Sequence, residues 1–313
     1  MEKQKNKIKI KGAVQSAKLI LTKKNIVSDN SKNNTTLLLQ NEYASKNKKE
    51  FNKSKIGLVK IDNFASVIKK SGSEKLKIKS VSKSFDGRPV LNNISFEVKQ
   101  GEILLLAGAN GSGKSTVYNC IIGKIKPDTG TILLDSKDIS FQPMHERCKM
   151  GISLVEQSFG LFSGLTVYQN LYAILEMHYD DKIKIHNKII YLLNLFKLEY
   201  AKDILCSQLS GGMYKKLVVL QRIANPDLKF LLLDEPCSAL DPKSVQDLKK
   251  FIVELKKLNI GIILTDHQIS SVLDISDRVI IIHDGAIISS GTSKQVVRDE
   301  AAIKYYLGSN FKF

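Results

Sequence analysis

The sequence predicts an α/β fold of buried strands and helices, and three stretches predict it. In the first, the apolar run Ile103-Leu104-Leu105-Leu106-Ala107 leads into Gly108-Ala109-Asn110-Gly111-Ser112-Gly113-Lys114-Ser115-Thr116, and Val117 to Ile122 continues it. A short uniformly apolar run reads as a strand buried on both faces, and the segment after the glycines can form a helix. In the second, Phe230-Leu231-Leu232-Leu233 ends in two carboxylates, Asp234 and Glu235. In the third, Gly261-Ile262-Ile263-Leu264 runs on through Thr265 and Asp266 to His267. Strands of this kind bring their C-terminal ends to one edge of the sheet, where α/β folds bind ligands.

Taken in order, the chain opens with an extension that does not read as part of this fold. Residues 1–73 are rich in Lys, Asn and Ser, and such composition buries too little apolar surface to offset the entropy of ordering. The net charge of +17 is concentrated here: residues 1–75 carry 18 lysines and 6 acids, a balance of +12. The remaining 238 residues carry 30 basic and 25 acidic side chains, or +5, so the body offers no basic face for nucleic acid. The extension's lysines are dispersed, which favours a solvated tail over one gathered on an anionic membrane. No run of 18 apolar residues exists, and Lys18, Lys23 and Lys24 interrupt the only apolar patch near the N-terminus. A cytoplasmic protein is expected. Cys120, Cys148, Cys206 and Cys237 lack metal-ligand spacing and read as buried or idle thiols.

Leu76, Ile78 and Ser80 alternate with lysines as a first strand, Phe85 to Pro89 reads as a turn, and Ile94 to Val98 as a second strand. Phe85 reads either as core or as a ring stacked on a flat base. The glycine stretch follows, with Gly108 and Gly113-Lys114-Ser115 at P-loop spacing. Glycines let successive backbone N–H groups approach phosphate, and the following helix adds its positive N-terminal end. In that reading Lys114 reaches the phosphates and the Ser115 hydroxyl coordinates Mg²⁺. Pro127 to Gly130 reads as a turn before the strand Thr131 to Asp135, and Gly151 to Glu156 as a further strand.

From Gln157 to about Leu228 the periodicity becomes helical, over Val167 to His178 and Ile183 to Leu198. Leu209-Ser210-Gly211-Gly212 then forms a small-residue turn that caps the next helix and presents N–H groups to an anion. At the end of the second buried strand, Asp234 suits a Mg²⁺ shell and Glu235 suits a group that accepts a proton from attacking water. Ser238-Ala239-Leu240-Asp241 follows in a loop, and His267 stands at the same sheet edge as Asp234.

In this order and spacing the motifs resemble the ATP-binding-cassette family of transporter ATPases, over residues 76 to about 290. The resemblance implies a P-loop NTPase of cassette type: a RecA-like mixed sheet core, an antiparallel β subdomain, and an inserted α-helical subdomain at about 158–228, within a domain spanning 74–313. It implies a homodimer that sandwiches ATP, each P-loop facing the other copy's Ser210-Gly211-Gly212 turn. Carried onto this sequence, the family's roles place Phe85 on adenine and Gly108, Asn110, Gly111, Ser112, Gly113, Lys114, Ser115 and Thr116 around phosphate. Ser115, Gln157 and Asp234 hold Mg²⁺, Glu235 and His267 act on water and γ-phosphate, and Asp241 communicates across the dimer.

Within the family the chain most resembles the lipopolysaccharide-export ATPases. That likeness rests on Asp138-Ile139-Ser140 through His145, Leu165 to Leu171, Thr265-Asp266-His267 and Tyr306 to Phe311. It implies work at the cytoplasmic face of the inner membrane beneath two transmembrane subunits, received near Phe162. An importer of branched-chain amino acids and, more remotely, a soluble regulator are the alternatives. Met213 departs from the family's usual Gln or Glu, Tyr214 to Asn225 lacks its arginine-rich pattern, and Asp227-Leu228 is a small length irregularity.

Overall fold

The computed structural model describes residues 73–156, 160–266, 269–309 and 311, all within the unit Ile61–Phe313. Gln157, His267 and residues 1–72 of the expected extension lie outside the described residues. The strands are β1 Lys75–Phe85, β2 Arg88–Lys99, β3 Ile103–Ala107, β4 Thr129–Leu134, β5 Lys137–Asp138, β6 Ile152–Val155, β7 Phe230–Asp234, β8 Gly261–Thr265, β9 Arg278–His283 and β10 Ala286–Gly291. They form an antiparallel sheet in the order β2-β1-β4-β5 and a six-stranded sheet in the order β10-β9-β3-β8-β7-β6. In the second sheet β3 pairs in parallel with both β8 and β9, and β7 in parallel with β6 and β8. Only β10 runs antiparallel, against β9.

The uniformly apolar strands are uniform because both faces are covered. On β3, Leu104 and Leu106 pack toward the antiparallel sheet and the first helix, while Ile103, Leu105 and Ala107 pack toward the remaining helices. Each such leucine or isoleucine, withdrawn from water, contributes roughly 1.5–3 kcal/mol. The main helices are α1 Lys114–Ile122, α2 Met144–Lys149, α3 Val167–Leu175, α4 Lys182–Leu195, α5 Gly211–Ile223 and α6 Pro242–Lys257. Helices α3 to α5 fall between β6 and β7, which is the helical insertion read from the periodicity.

Helix starts follow cap chemistry. Thr166 and Gln169 exchange side-chain bonds to each other's backbone N–H at the head of α3, and Asp181 accepts from Ile183 and Lys184 at the head of α4. Helix ends come earlier than the periodicity suggests. After Leu175 the bonds tighten, with Met177 N–H on Ile174 O at 3.2 Å and His178 N–H on Leu175 O at 3.0 Å. Helix α4 ends where Lys197 turns left-handed, at φ 55°. Strand β4 starts earlier than expected, at Thr129: Gly130 belongs to the ladder, and a Cβ there would stand 2.3 Å from Ser80 O.

A buried cation fastens the end of α1 to the segment after β5. Arg147 of α2 is fully buried, and its guanidinium donates to Cys120 O at 2.6 Å, Ile121 O at 2.7 Å, Ser140 O at 2.8 Å and Gln142 O at 2.9 Å. It thereby satisfies the last carbonyls of α1 and opposes that helix's negative end. Among the described residues no helix is long and apolar enough to cross a membrane.

Candidate functional site

The P-loop residues lie together in the turn from β3 into α1. Gly108, Gly111 and Gly113 have φ of 153°, 79° and 108°. A Cβ on Gly108 would meet Ile282 O at 2.3 Å, and one on Gly113 would meet Leu91 Cδ2 at 2.7 Å. On Gly111 it would meet nothing within 4 Å, so the loop is packed from behind at Gly108 and Gly113 and open at Gly111. The backing is β2 together with the β9–β10 hairpin: Gly285 N–H bonds Ser112 O at 3.1 Å, and Gly285 O accepts from Asn92 N–H at 2.8 Å. The C-terminal tail reaches the same loop, since burial pushes the Tyr306 phenol up while the Gly108 N–H beside it opposes that shift.

Lys114 is 8% exposed, and its ammonium donates to Gly108 O at 2.7 Å and Ala109 O at 2.8 Å. Burial pushes its pKa down, and the nearby charges of Glu235 and Asp234 oppose that shift. The Ser112 hydroxyl is buried with no hydrogen-bond partner among the described residues, so the loop holds an unpaired polar atom beside its open glycine. Tyr118, further along α1, is buried and shares its hydroxyl between Ile263 O at 2.9 Å and Leu233 O at 3.2 Å. The P-loop helix is thereby tied to β7 and β8.

Asp234 ends β7 opposite Thr265 of β8. Thr265 is fully buried; its hydroxyl donates to Asp234 Oδ1 at 2.7 Å and accepts the Glu235 N–H at 3.2 Å, while Thr265 O accepts the same N–H at 3.1 Å. Glu235 stands at φ 50°, in the left-handed region that a non-glycine residue enters at a cost of about 1–2 kcal/mol. Asp266 Oδ2 accepts the Cys237 N–H at 3.3 Å.

A second cluster gathers around Ser210, which caps α5 by accepting the Met213 N–H at 3.3 Å. A Cβ on Gly212 would stand 2.9 Å from Ser244 Oγ, and Ser244 bonds Asp241, the cap of α6, at 2.5 Å. Gly211 has room, with Leu240 Cδ2 at 3.7 Å from a built Cβ. Met213 is half-buried against the core, and Lys215, next but one, donates to Pro236 O at 2.9 Å and to Ser238 O. Among the described residues no hydrogen bond joins 108–116 to 209–213.

Phe162 is 58% exposed, and the amide of buried Asn170 holds its backbone, accepting from its N–H at 2.9 Å and donating to its carbonyl at 3.1 Å. Phe85 is partly exposed at the end of β1, with the Lys83 ammonium 5.4 Å from its ring centre. Three cysteines are buried as expected, with thiols pushed up to about 11 at Cys120 and Cys206 and about 12 at Cys237; Cys148 is exposed. Sequence reasoning missed Tyr118, Asn170, Lys215 and Gly285, and quoted Thr265 without giving it a role.

The family described as ABC transporter matches residues 91–238. The lipopolysaccharide export system ATP-binding protein LptB of Haemophilus influenzae is 38% identical over 239 residues, covering 76% of this chain and 98% of that protein. Its counterpart in Escherichia coli K12 is 35% identical over the same coverage. Among solved structures, an ATP-binding cassette of an ABC transporter in its ADP conformation superposes with a TM-score of 0.65 at 27% identity, covering 76% of this chain and all of that one. The chain belongs to the ABC transporter family, as one of its ATP-binding, ATP-hydrolysing subunits.

Proposed function

We propose that this chain powers the extraction of lipopolysaccharide from the inner membrane, as a homodimer on the cytoplasmic face beneath two transmembrane subunits. The observation that carries this reading is the 38% identity over nearly the full length of an export ATPase. The chemistry fits the residues present. Ser112's unpaired hydroxyl and the open space at Gly111 suit phosphate oxygens, and Lys114 can exchange two loop carbonyls for them. Asp234 and the Ser115 hydroxyl, with Gln157, would hold Mg²⁺, which when bound neutralises charge on the phosphate oxygens.

Around that site Phe85 would stack on adenine, Asn110 to Thr116 would offer backbone N–H groups, and His267 would meet the γ-phosphate. Glu235 would accept a proton from the attacking water. The Ser210-Gly211-Gly212 turn, at the positive end of α5, would face the P-loop of the other copy, with Asp241 alongside. Closure of the dimer would then move the surface at Phe162, where the membrane subunits dock.

The test is capture of the full chain carrying Glu235→Gln from detergent-solubilised membranes in the presence of ATP. Binding of ATP with turnover abolished, and recovery of two distinct lipopolysaccharide-export subunits, is the expected outcome. Recovery of an amino acid permease would replace the cargo, and undiminished turnover would remove Glu235 from its role.

A further inference from the structure

We propose that Thr265 is a positioning residue for hydrolysis, its hydroxyl setting where the carboxylates of Asp234 and Glu235 stand. The proposal rests on the reading that those two carboxylates hold metal and act on water. Its evidence is an arrangement that a strand-end threonine does not need for packing alone. The hydroxyl has one proton and two lone pairs. Asp234, when ionised, can only accept, so the proton at 2.7 Å belongs to that bond, and the lone pair facing Glu235 takes its N–H at 3.2 Å. One buried oxygen atom therefore orients the side chain of one residue and the backbone of the next.

The backbone half matters because Glu235 is left-handed, at φ 50°. A strained conformation persists where its surroundings over-determine it. Here Thr265 O and Oγ both receive the Glu235 N–H, Asp266 receives the Cys237 N–H, and Lys215 holds the carbonyls of Pro236 and Ser238. The turn that aims Glu235 is fastened on both sides, and Thr265 is the only one of these groups that also bonds Asp234 among the described residues. Groups that orient a metal-holding carboxylate typically govern metal affinity or activity by about 10–100-fold.

The test compares Thr265→Val, which keeps the shape and removes the hydroxyl, with Thr265→Ser, which keeps the hydroxyl. Turnover is measured on the full chain. Separately, in a Glu235→Gln background, fluorescent-ATP binding is titrated with Mg²⁺ and repeated without metal. In Thr265→Val, kcat falls about tenfold or more and the Mg²⁺ midpoint rises about tenfold, with metal-free nucleotide affinity within about twofold of the parent. Thr265→Ser stays within about threefold on each measure. An unmoved Mg²⁺ midpoint in Thr265→Val, or a Thr265→Ser protein as impaired as the valine variant, overturns the proposal. If the valine variant does not fold, Thr265→Ala replaces it under the same criteria. Glu235→Gln alone separates the parent reading: retained turnover there removes that reading, whatever Thr265 does.

Discussion

Gly108 and Gly111 both lie at positive φ, but for different physical reasons. At Gly108 the obstacle is the main chain of a neighbouring strand, 2.3 Å from any added Cβ; at Gly111 there is no obstacle, only backbone conformation. Gly108→Ala should therefore cost about 2–4 kcal/mol of stability through enforced displacement. Gly111→Ala should cost about 1–2 kcal/mol, the price of a left-handed alanine. Urea midpoints of the two variants check this, and equal losses would refute the distinction. At this scale the sequence was most readable where spacing alone carries the chemistry, as from Gly108 to Ser115. Thr265 and Tyr118 were not readable as polar devices. A β-branched residue in an apolar run reads as a strand former, and a tyrosine among apolar residues reads as helix face. The Thr265 hydroxyl acquires its partners through the register of β7 on β8, and the Tyr118 hydroxyl through the packing of α1 on those strands, neither of which is a local signal.

Where elements were legible their signals were local, as at Ser210, which stands where a helix start needs an acceptor; α6, capped in the same way by Asp241, and strands β9 and β10 went unread. The helix ends and the start of β4 were less legible, since they depend on what a segment meets elsewhere. The tie between helices was invisible. Asn170 of α3 holds the Phe162 backbone, donates to Cys206 Sγ at 3.0 Å, and accepts from Gln221 of α5 at 3.2 Å, so the helix headed by Ser210 is linked to the loop bearing Phe162. Truncating it to Ala strands a buried glutamine amide and a backbone N–H, which should cost about 2–4 kcal/mol. Chemical unfolding measures that loss, and amide exchange at Phe162 should quicken in the same variant. Unchanged exchange there would mean the loop is held by something else.

Over the whole molecule, the buried apolar strands and the helical periodicity placed the α/β core and the helical insertion, while the antiparallel sheet came only with the family resemblance. Parallel strands separated by long crossovers leave few ways to assemble. What the order of motifs cannot convey is how the end of α1 is fastened to the segment after β5, because Arg147 looks like one basic residue among forty-eight. Replacing it with Met should cost about 2–4 kcal/mol by leaving buried carbonyls unpaired, read from urea unfolding of the full chain. Its partners are four peptide oxygens, whereas surface pairs such as Lys83 with Asp128 depend on a carboxylate. Acid that protonates carboxylates, and salt that screens exposed charge, therefore loosen the rim of this protein before they reach the joint at its centre. Between pH 7 and pH 4.5 the loss caused by Arg147→Met should stay constant, because the joint it removes contains nothing that titrates in that range.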